Sequence, residues 1–356
     1  MSTTRDLRFF QAINEATDLC LARDPSVYLI GLHVPADPKG VFGTTLGLQK
    51  KYGPDRVMDM PTSENGMTGV AIGSALVGMR PIMVHQRIEF ALLAVEQIIN
   101  QAANWHYMFG GQDAMPLVIR MMIGRGWGQG PQHSQSLQAM FAHVPGLKVV
   151  MPATPHDAKG LLIAAVEDNN PVIYLEHRWL HNIFGPVPEG HYTVPIGKAR
   201  TAKPGRDVTI VATSYMVLES LRAAELLARD GIDAEVVDVR SLRPLDTRHI
   251  LESVHKTGRL VAVDGAWRSL GFAAEVVALV AERAYGTLKA GPKRVTFPDV
   301  PSPSTPALAQ HFYPRAVHIV NEIRTMTGLS EVTEEQLGIQ HETPLDVPDK
   351  AFSGPF

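Results

Sequence analysis

One carboxylate opens a stretch of the chain otherwise dominated by small and apolar residues: Glu64 in "MDMPTSENGMTGVAIGSALVGMRP", residues 58–81. Two roles suit it. With Ser63 as a helix cap, Glu64 falls in the first turn, where the macrodipole favours an anion. Alternatively, the helix behind it, Gly66 to Gly78, has small residues on several faces and is expected to be buried and closely packed. A carboxylate at the entrance of such a dry site has its pKa pushed up by desolvation, which suits an acid that shares a proton with a ligand nitrogen. His133 follows the glycine-rich run "GRGWGQG" (124–130) and precedes a loop-then-helix segment. It stands either at a sheet's carboxyl edge, where open α/β sheets bind ligands, or on the surface as a structural residue. Phe90 heads the apolar run "FALLAVEQIINQAANWHYMF" and by itself reads as core.

Other chemistries lack their residues. The run 124–130 has neither the G-x-G-x-x-G spacing nor the lysine of a phosphate-binding loop. No second histidine stands at helical spacing from His133, and no nucleophile-elbow glycines surround Ser63 or Ser214, so a Ser-His-Asp hydrolase is unsupported. The formal charge is −3 over 356 residues, and no basic tract of the kind that binds nucleic acid occurs. The N-terminal "MSTTRDLRFFQAINEATDLC" reads as an amphipathic helix, not a signal peptide or anchor. No apolar run reaches the roughly 18 residues of a membrane span. The single cysteine, Cys20, allows neither an intrachain disulfide nor a Cys-based zinc cluster, and a reducing, cytoplasmic setting is expected.

The elements that must position these residues follow an α/β rhythm. Between Val27 and Glu176, "VYLIG", "PIMVH", "PLVIRMM", "LKVVMP" and "PVIYLEH" alternate with stretches at helical spacing, which predicts a mostly parallel sheet covered by helices. A second series, "DVTIVAT", "DAEVVDV", "GRLVAVD" and "KRVTFPDVP", predicts a separate α/β domain. The Pro- and Gly-rich segment 184–207 is expected to be the linker. Expected domain limits are 1–190 and 207–328, with an acidic, Pro-containing tail, 329–356, that packs on something or stays mobile.

Taken together and in order, "PTSENGMTGVAIGSALVGMRP", "EFALLAVEQIINQAA", "GQGPQHSQSLQAMFAHVPGLKVVMPATPHDAKGLL", "DNNPVIYLEH" and "DVRSLRPLD" closely resemble the beta subunits of thiamine-diphosphate-dependent 2-oxoacid dehydrogenases, over residues 5 to 325. The resemblance implies a pyrimidine-binding domain followed by a transketolase C-terminal-like domain, and kinship with the latter half of transketolases. It implies that Glu64 hydrogen-bonds the cofactor's aminopyrimidine nitrogen and favours its imino form, that Phe90 stacks on that ring beside Thr62, and that His133 meets substrate. The backbone carbonyls of Ala165, Val166, Asp168 and Asn170 match a segment that holds a structural potassium ion in the family. No "GDG" occurs in the chain, so the motif that anchors diphosphate and Mg²⁺ is expected on an alpha-type partner, in an assembly with two copies of each chain. The chain departs from the family's pattern at Gly31-Leu32-His33, at Thr62, and at His85 and Ile88, where aromatics are usual. At Gly31-Leu32-His33 a carboxylate linked to communication between active sites is missing, while Thr62, His85 and Ile88, with Gln132, predict a substrate pocket more polar than one shaped for pyruvate or branched-chain acids. The expected activity is 2-oxoacid decarboxylation with acyl transfer to the lipoyl group of an acyltransferase; a split transketolase or carboligase acting on a polar acceptor, or a non-catalytic scaffold, are the alternatives.

Overall fold

The computed structural model describes residues 4–36, 40–124 and 129–340; much of the 124–130 run and most of the tail lie outside them. The chain begins with a strand, β1 (Thr4–Arg8), where a helix was expected, and the helix starts only at Phe9 (Phe9–Arg23). Next come β2 (Val27–Gly31), β3 (Val57–Met58), β4 (Arg80–His85), β5 (Val118–Ile123), β6 (Lys148–Val150) and β7 (Val172–His177), parallel throughout. Each long run is buried along its whole length, because helices cover both faces of a parallel sheet. The first part of the expected linker is in fact β8 (Phe184–Pro188), which pairs antiparallel with β1. Its prolines are tolerated because the ribbon has only two strands and no central position.

The second sheet is built from β9 (Arg200–Lys203), β10 (Val208–Ala212), β11 (Ala234–Asp238), β13 (Leu260–Trp267) and β14 (Lys293–Phe297), in the order β14-β13-β10-β11-β9. Between β11 and β13 the chain crosses back: β12 (Ser241–Arg243) pairs antiparallel with β6 and becomes the seventh strand of the first sheet. Two short series of strands are therefore stitched together by a strand that local pattern assigns to the wrong sheet. Side chains reinforce the join. The Gln138 amide donates to Asp264 at 2.8 Å, and Arg240 reaches Asp157 at 3.2 Å. Residues 329–340 dock on the second unit, where Arg324 and Asn321 donate to the carbonyls of Ser330 and Val332.

The helix behind Glu64, Glu64–Leu76, is not enclosed on every side. Thr68, Ala71, Ile72 and Ala75 face the sheet, while Val70 (55 % exposed) and Val77 (81 %) lie on an open face with Gly66 and Gly73. Small residues there leave room for a neighbour instead of filling this chain's core.

Candidate active site

Glu64 is the first residue of its helix, directly after the exposed Thr62 and Ser63. Ser63 makes no side-chain capping bond, which removes half of the simple helix-terminus explanation. The Glu64 side chain is 6 % exposed, accepts no hydrogen bond from a described residue, and neither of its oxygens is among the fully enclosed polar atoms. A carboxylate with slight solvent access, at the positive end of a helix and without a protein donor, is a group kept available for a ligand. These are the properties that hydrogen bonding to a ring nitrogen requires.

Phe90 and His133 are brought together from segments 43 residues apart in sequence. β4 ends at His85 and the chain turns into the helix Ile88–Ala91, carrying Phe90; β5 ends at Ile123, and the chain after it returns as the short turn Pro131–His133. Their rings meet edge to face, with centroids 5.3 Å apart. Both lie at the carboxyl ends of adjacent parallel strands, where open sheets bind ligands. Gln132 is exposed beside them, and a cleft of about 440 Å³ runs between Gln132, Gln135 and Trp267 to Pro301 of the second unit.

Two expected pocket residues are corrected. Ile88 is wholly buried in the core cluster with Ile72, Met83 and Ile98. His85 is 2 % exposed and its Nδ1 is fully enclosed without a partner; Nε2 lies 3.4 Å from Thr68 Oγ1. Alternation along β4 turns residue 85 to the same side as Met83, under the helix Glu64–Leu76, so the imidazole is enclosed within this chain. Burial holds it neutral, with its pKa lowered to about 4. It lies beside Thr68, one turn beyond Glu64, as part of the packing under this helix.

Three of the carbonyls expected at a potassium site take part in hydrogen bonds within the chain. The carbonyls of Val166 and Asp168 accept from the Arg80 guanidinium at 2.9 and 3.1 Å, and that of Ala165 accepts from the Asp168 N–H. Lys148 and Asn170 engage the Asp168 carboxylate and hold it below the usual range against the cost of burial. No group of three or more His, Cys, Asp or Glu among the described residues is arranged to hold a metal ion. No helix there is long and apolar enough to cross a membrane.

Comparison with known proteins follows the same division. The family model described as "Transketolase, pyrimidine binding domain" matches residues 5–182, and "Transketolase, C-terminal domain" matches 197–319. The beta subunit of acetoin:2,6-dichlorophenolindophenol oxidoreductase from Cupriavidus necator is 47 % identical over 334 residues, 91 % of this chain and 98 % of that one. The chain belongs to the beta subunits of thiamine-diphosphate-dependent 2-oxoacid dehydrogenases. This beta subunit is also 41 % identical to the mitochondrial pyruvate dehydrogenase E1 beta subunit of Bos taurus, covering 88 % of this chain and 89 % of that one. A solved split-gene transketolase, an inactive beta4 tetramer, superposes with a TM-score of 0.74 at 25 % identity, over 91 % of this chain and 99 % of that one.

The residues that sequence reading missed are Arg87, Glu89 and Gln135. A signal was present: two opposite charges flank Ile88 inside an otherwise apolar stretch, where an unpaired charge would be costly.

Proposed function

We propose that this beta subunit supplies the aminopyrimidine half of a thiamine diphosphate site completed by an alpha-type chain, in a two-plus-two assembly. The observation that carries this reading is the slightly exposed carboxylate of Glu64 at a helix start, with no hydrogen-bond partner among the described residues. The cofactor, when bound, supplies an electron sink for cleaving a bond next to a carbonyl. Glu64 holds and shares a proton at the pyrimidine nitrogen, Phe90 packs on the ring beside Thr62, and His133 faces the space where substrate enters. The diphosphate and Mg²⁺ are assigned to the partner because this chain has no Gly-Asp-Gly. A potassium ion, implied by resemblance, would share its carbonyls with Arg80. A reducing, cytoplasmic setting rests on the lone Cys20.

As substrate we infer a hydroxylated ketone of the acetoin class in preference to pyruvate, with a lipoyl group as natural acceptor. The name of the relative at 47 % identity supports it, as does the exposed amide of Gln132 lining the cleft. The bond between the carbonyl carbon and the hydroxyl-bearing carbon breaks as the hydroxyl gives up its proton and that carbon leaves as an aldehyde; the carbonyl fragment keeps the bonding pair, and on transfer to the lipoyl group it becomes a thioester while the S–S bond is reduced by those two electrons. The test is to purify the chain alone and with its partner, titrate each with thiamine diphosphate and Mg²⁺, and compare acetoin with pyruvate using 2,6-dichlorophenolindophenol. Tight Mg²⁺-dependent binding and turnover require both chains on this reading. Tight binding by the lone chain would refute the half-site, and a higher kcat/KM for pyruvate would refute the substrate.

A further inference from the structure

Arg87 and Glu89 leave the end of β4 on either side of the core residue Ile88 and are themselves buried, at 3 and 9 % exposure. Neither reaches the surface, yet both reach the segment that carries His133. Arg87 Nη1 donates to the carbonyl of Gly124 at 2.8 Å, and Nη2 to the Gln129 side chain. Glu89 Oε1 accepts from the backbone N–H of Gln135 at 2.5 Å. Gly124 and Gln135 are in turn joined, the N–H of the first donating to the carbonyl of the second at 3.5 Å. Gly124 and Gln135 thus form a neck in which both polar backbone groups of each residue are engaged, with Arg87 on one and Glu89 on the other.

Gly124 is required at this neck. Its φ is +79°, and a Cβ there would stand 2.5 Å from Nε2 of the buried His177. On the opposite side, Ser302 of the second unit donates to the Ser134 carbonyl at 3.2 Å. His133, one residue before Ser134, is therefore fixed from both sides, and Phe90, the neighbour of Glu89 in sequence, meets its ring. One short stretch of chain, 87–90, carries both the contact for His133 and the clamp that aims it.

We propose that Arg87 and Glu89 are positioning residues that clamp the neck Gly124/Gln135 and so hold His133 edge-on to Phe90, at the place where it meets substrate. The proposal rests on the reading of His133 given above. Glu89 acts through a single accepted hydrogen bond, a role that an amide oxygen can fill. Its second oxygen is enclosed without a partner among the described residues, so no cation there requires the negative charge. Burial already pushes the Glu89 carboxyl up, opposed by the Gln135 N–H and the Arg87 charge.

The test uses the complete assembly with its partner and four variants: Glu89→Ala, Glu89→Gln, His133→Ala, and His133→Ala combined with Glu89→Ala. Glu89→Ala should lower kcat by about ten- to a hundredfold, the scale for a displaced reacting group, with melting temperature changed much less in proportion. Glu89→Gln should restore most of it. In the His133→Ala background, Glu89→Ala should cost nothing further, since coupled residues are non-additive. A second readout needs no cofactor: the rate at which diethyl pyrocarbonate modifies His133, followed by peptide mass mapping, should change in Glu89→Ala and return toward wild type in Glu89→Gln. Additive losses, or Glu89→Gln as impaired as Glu89→Ala, would overturn the clamp while leaving His133 in place. Wild-type turnover by His133→Ala would overturn the reading of His133 and the clamp with it.

Discussion

Glu64 and His85 show how burial by itself does not make a site. Both are nearly inaccessible, but the oxygens of Glu64 keep some surface whereas His85 Nδ1 is sealed beneath a helix. Glu64→Gln keeps the shape and loses the shareable proton, so kcat of the assembled enzyme should fall by about 10²–10⁴-fold with an unchanged melting temperature; turnover within a factor of two of wild type would return Glu64 to the role of a helix-end charge. His85→Phe, by contrast, should leave the kcat/KM ratio of acetoin to pyruvate unaltered, and a shifted ratio would bring the imidazole back to the substrate. Its effect belongs to stability. The folded-state pKa is depressed from 6.5 to about 4, so the native state resists protonation: the stability is present above 6.5 and is lost as pH falls through 4. Acid should therefore destabilise the wild type more steeply than His85→Phe between pH 6.5 and 4, as read by urea unfolding at stepped pH.

At the scale of elements, the helix Glu64–Leu76 serves two masters. Its start presents Glu64, its inner face packs on β4, and its outer face is left open along Gly66, Val70, Gly73 and Val77. Within this chain a Cβ at Gly73 meets nothing within 4 Å. Gly73→Ala should therefore stabilise the isolated chain by about 0.5–1 kcal/mol through helix propensity. Gly73→Leu should fold equally well and yet fail to assemble, because close helix approach tolerates only small residues. Sedimentation velocity of the co-expressed chains checks this, and full assembly by Gly73→Leu would show that the face is not an interface. The expectation of a helix closed in on several faces came from counting small residues, which describe how near a neighbour can come and not which chain supplies it.

At the scale of the whole molecule, a cluster of charged groups lies where the two units meet, beside apolar clusters that span both. Asp157, from the helix Pro155–Glu167, and Asp238, from the end of β11, lie among Arg200 and Arg240, with Arg200 3.3 Å from Asp238 and 3.7 Å from Asp157. Complete burial, with Asp157 next to it, pushes the Asp238 carboxyl up to about 7, against the pull of both arginines. Its native pKa exceeds the unfolded one, so the stability it brings is full below the unfolded value of 3.8 and is lost as pH rises through 7. Asp238→Asn should remove this dependence and unfold at relatively higher denaturant than wild type at pH 8 compared with pH 5. Equal differences at the two pH values would mean that Asp238 is ionised throughout.

The sequence by itself determined the alternation of buried strands and helices, the two units and the family, because apolar periodicity is local and a long collinear set of motifs leaves little freedom. It also singled out Glu64, Phe90 and His133. What it could not decide was contact across distance. β12 joins the first sheet from within the second series, β1 and β8 pair across 180 residues of chain, and Arg87 and Glu89 find the neck at Gly124 and Gln135. The fate of His85 was open for the same reason: residue type announces a polar pocket wall or a sealed core imidazole equally well. Only the packing of a helix over β4 chose the second, since burial depends on which surfaces the folded chain brings face to face.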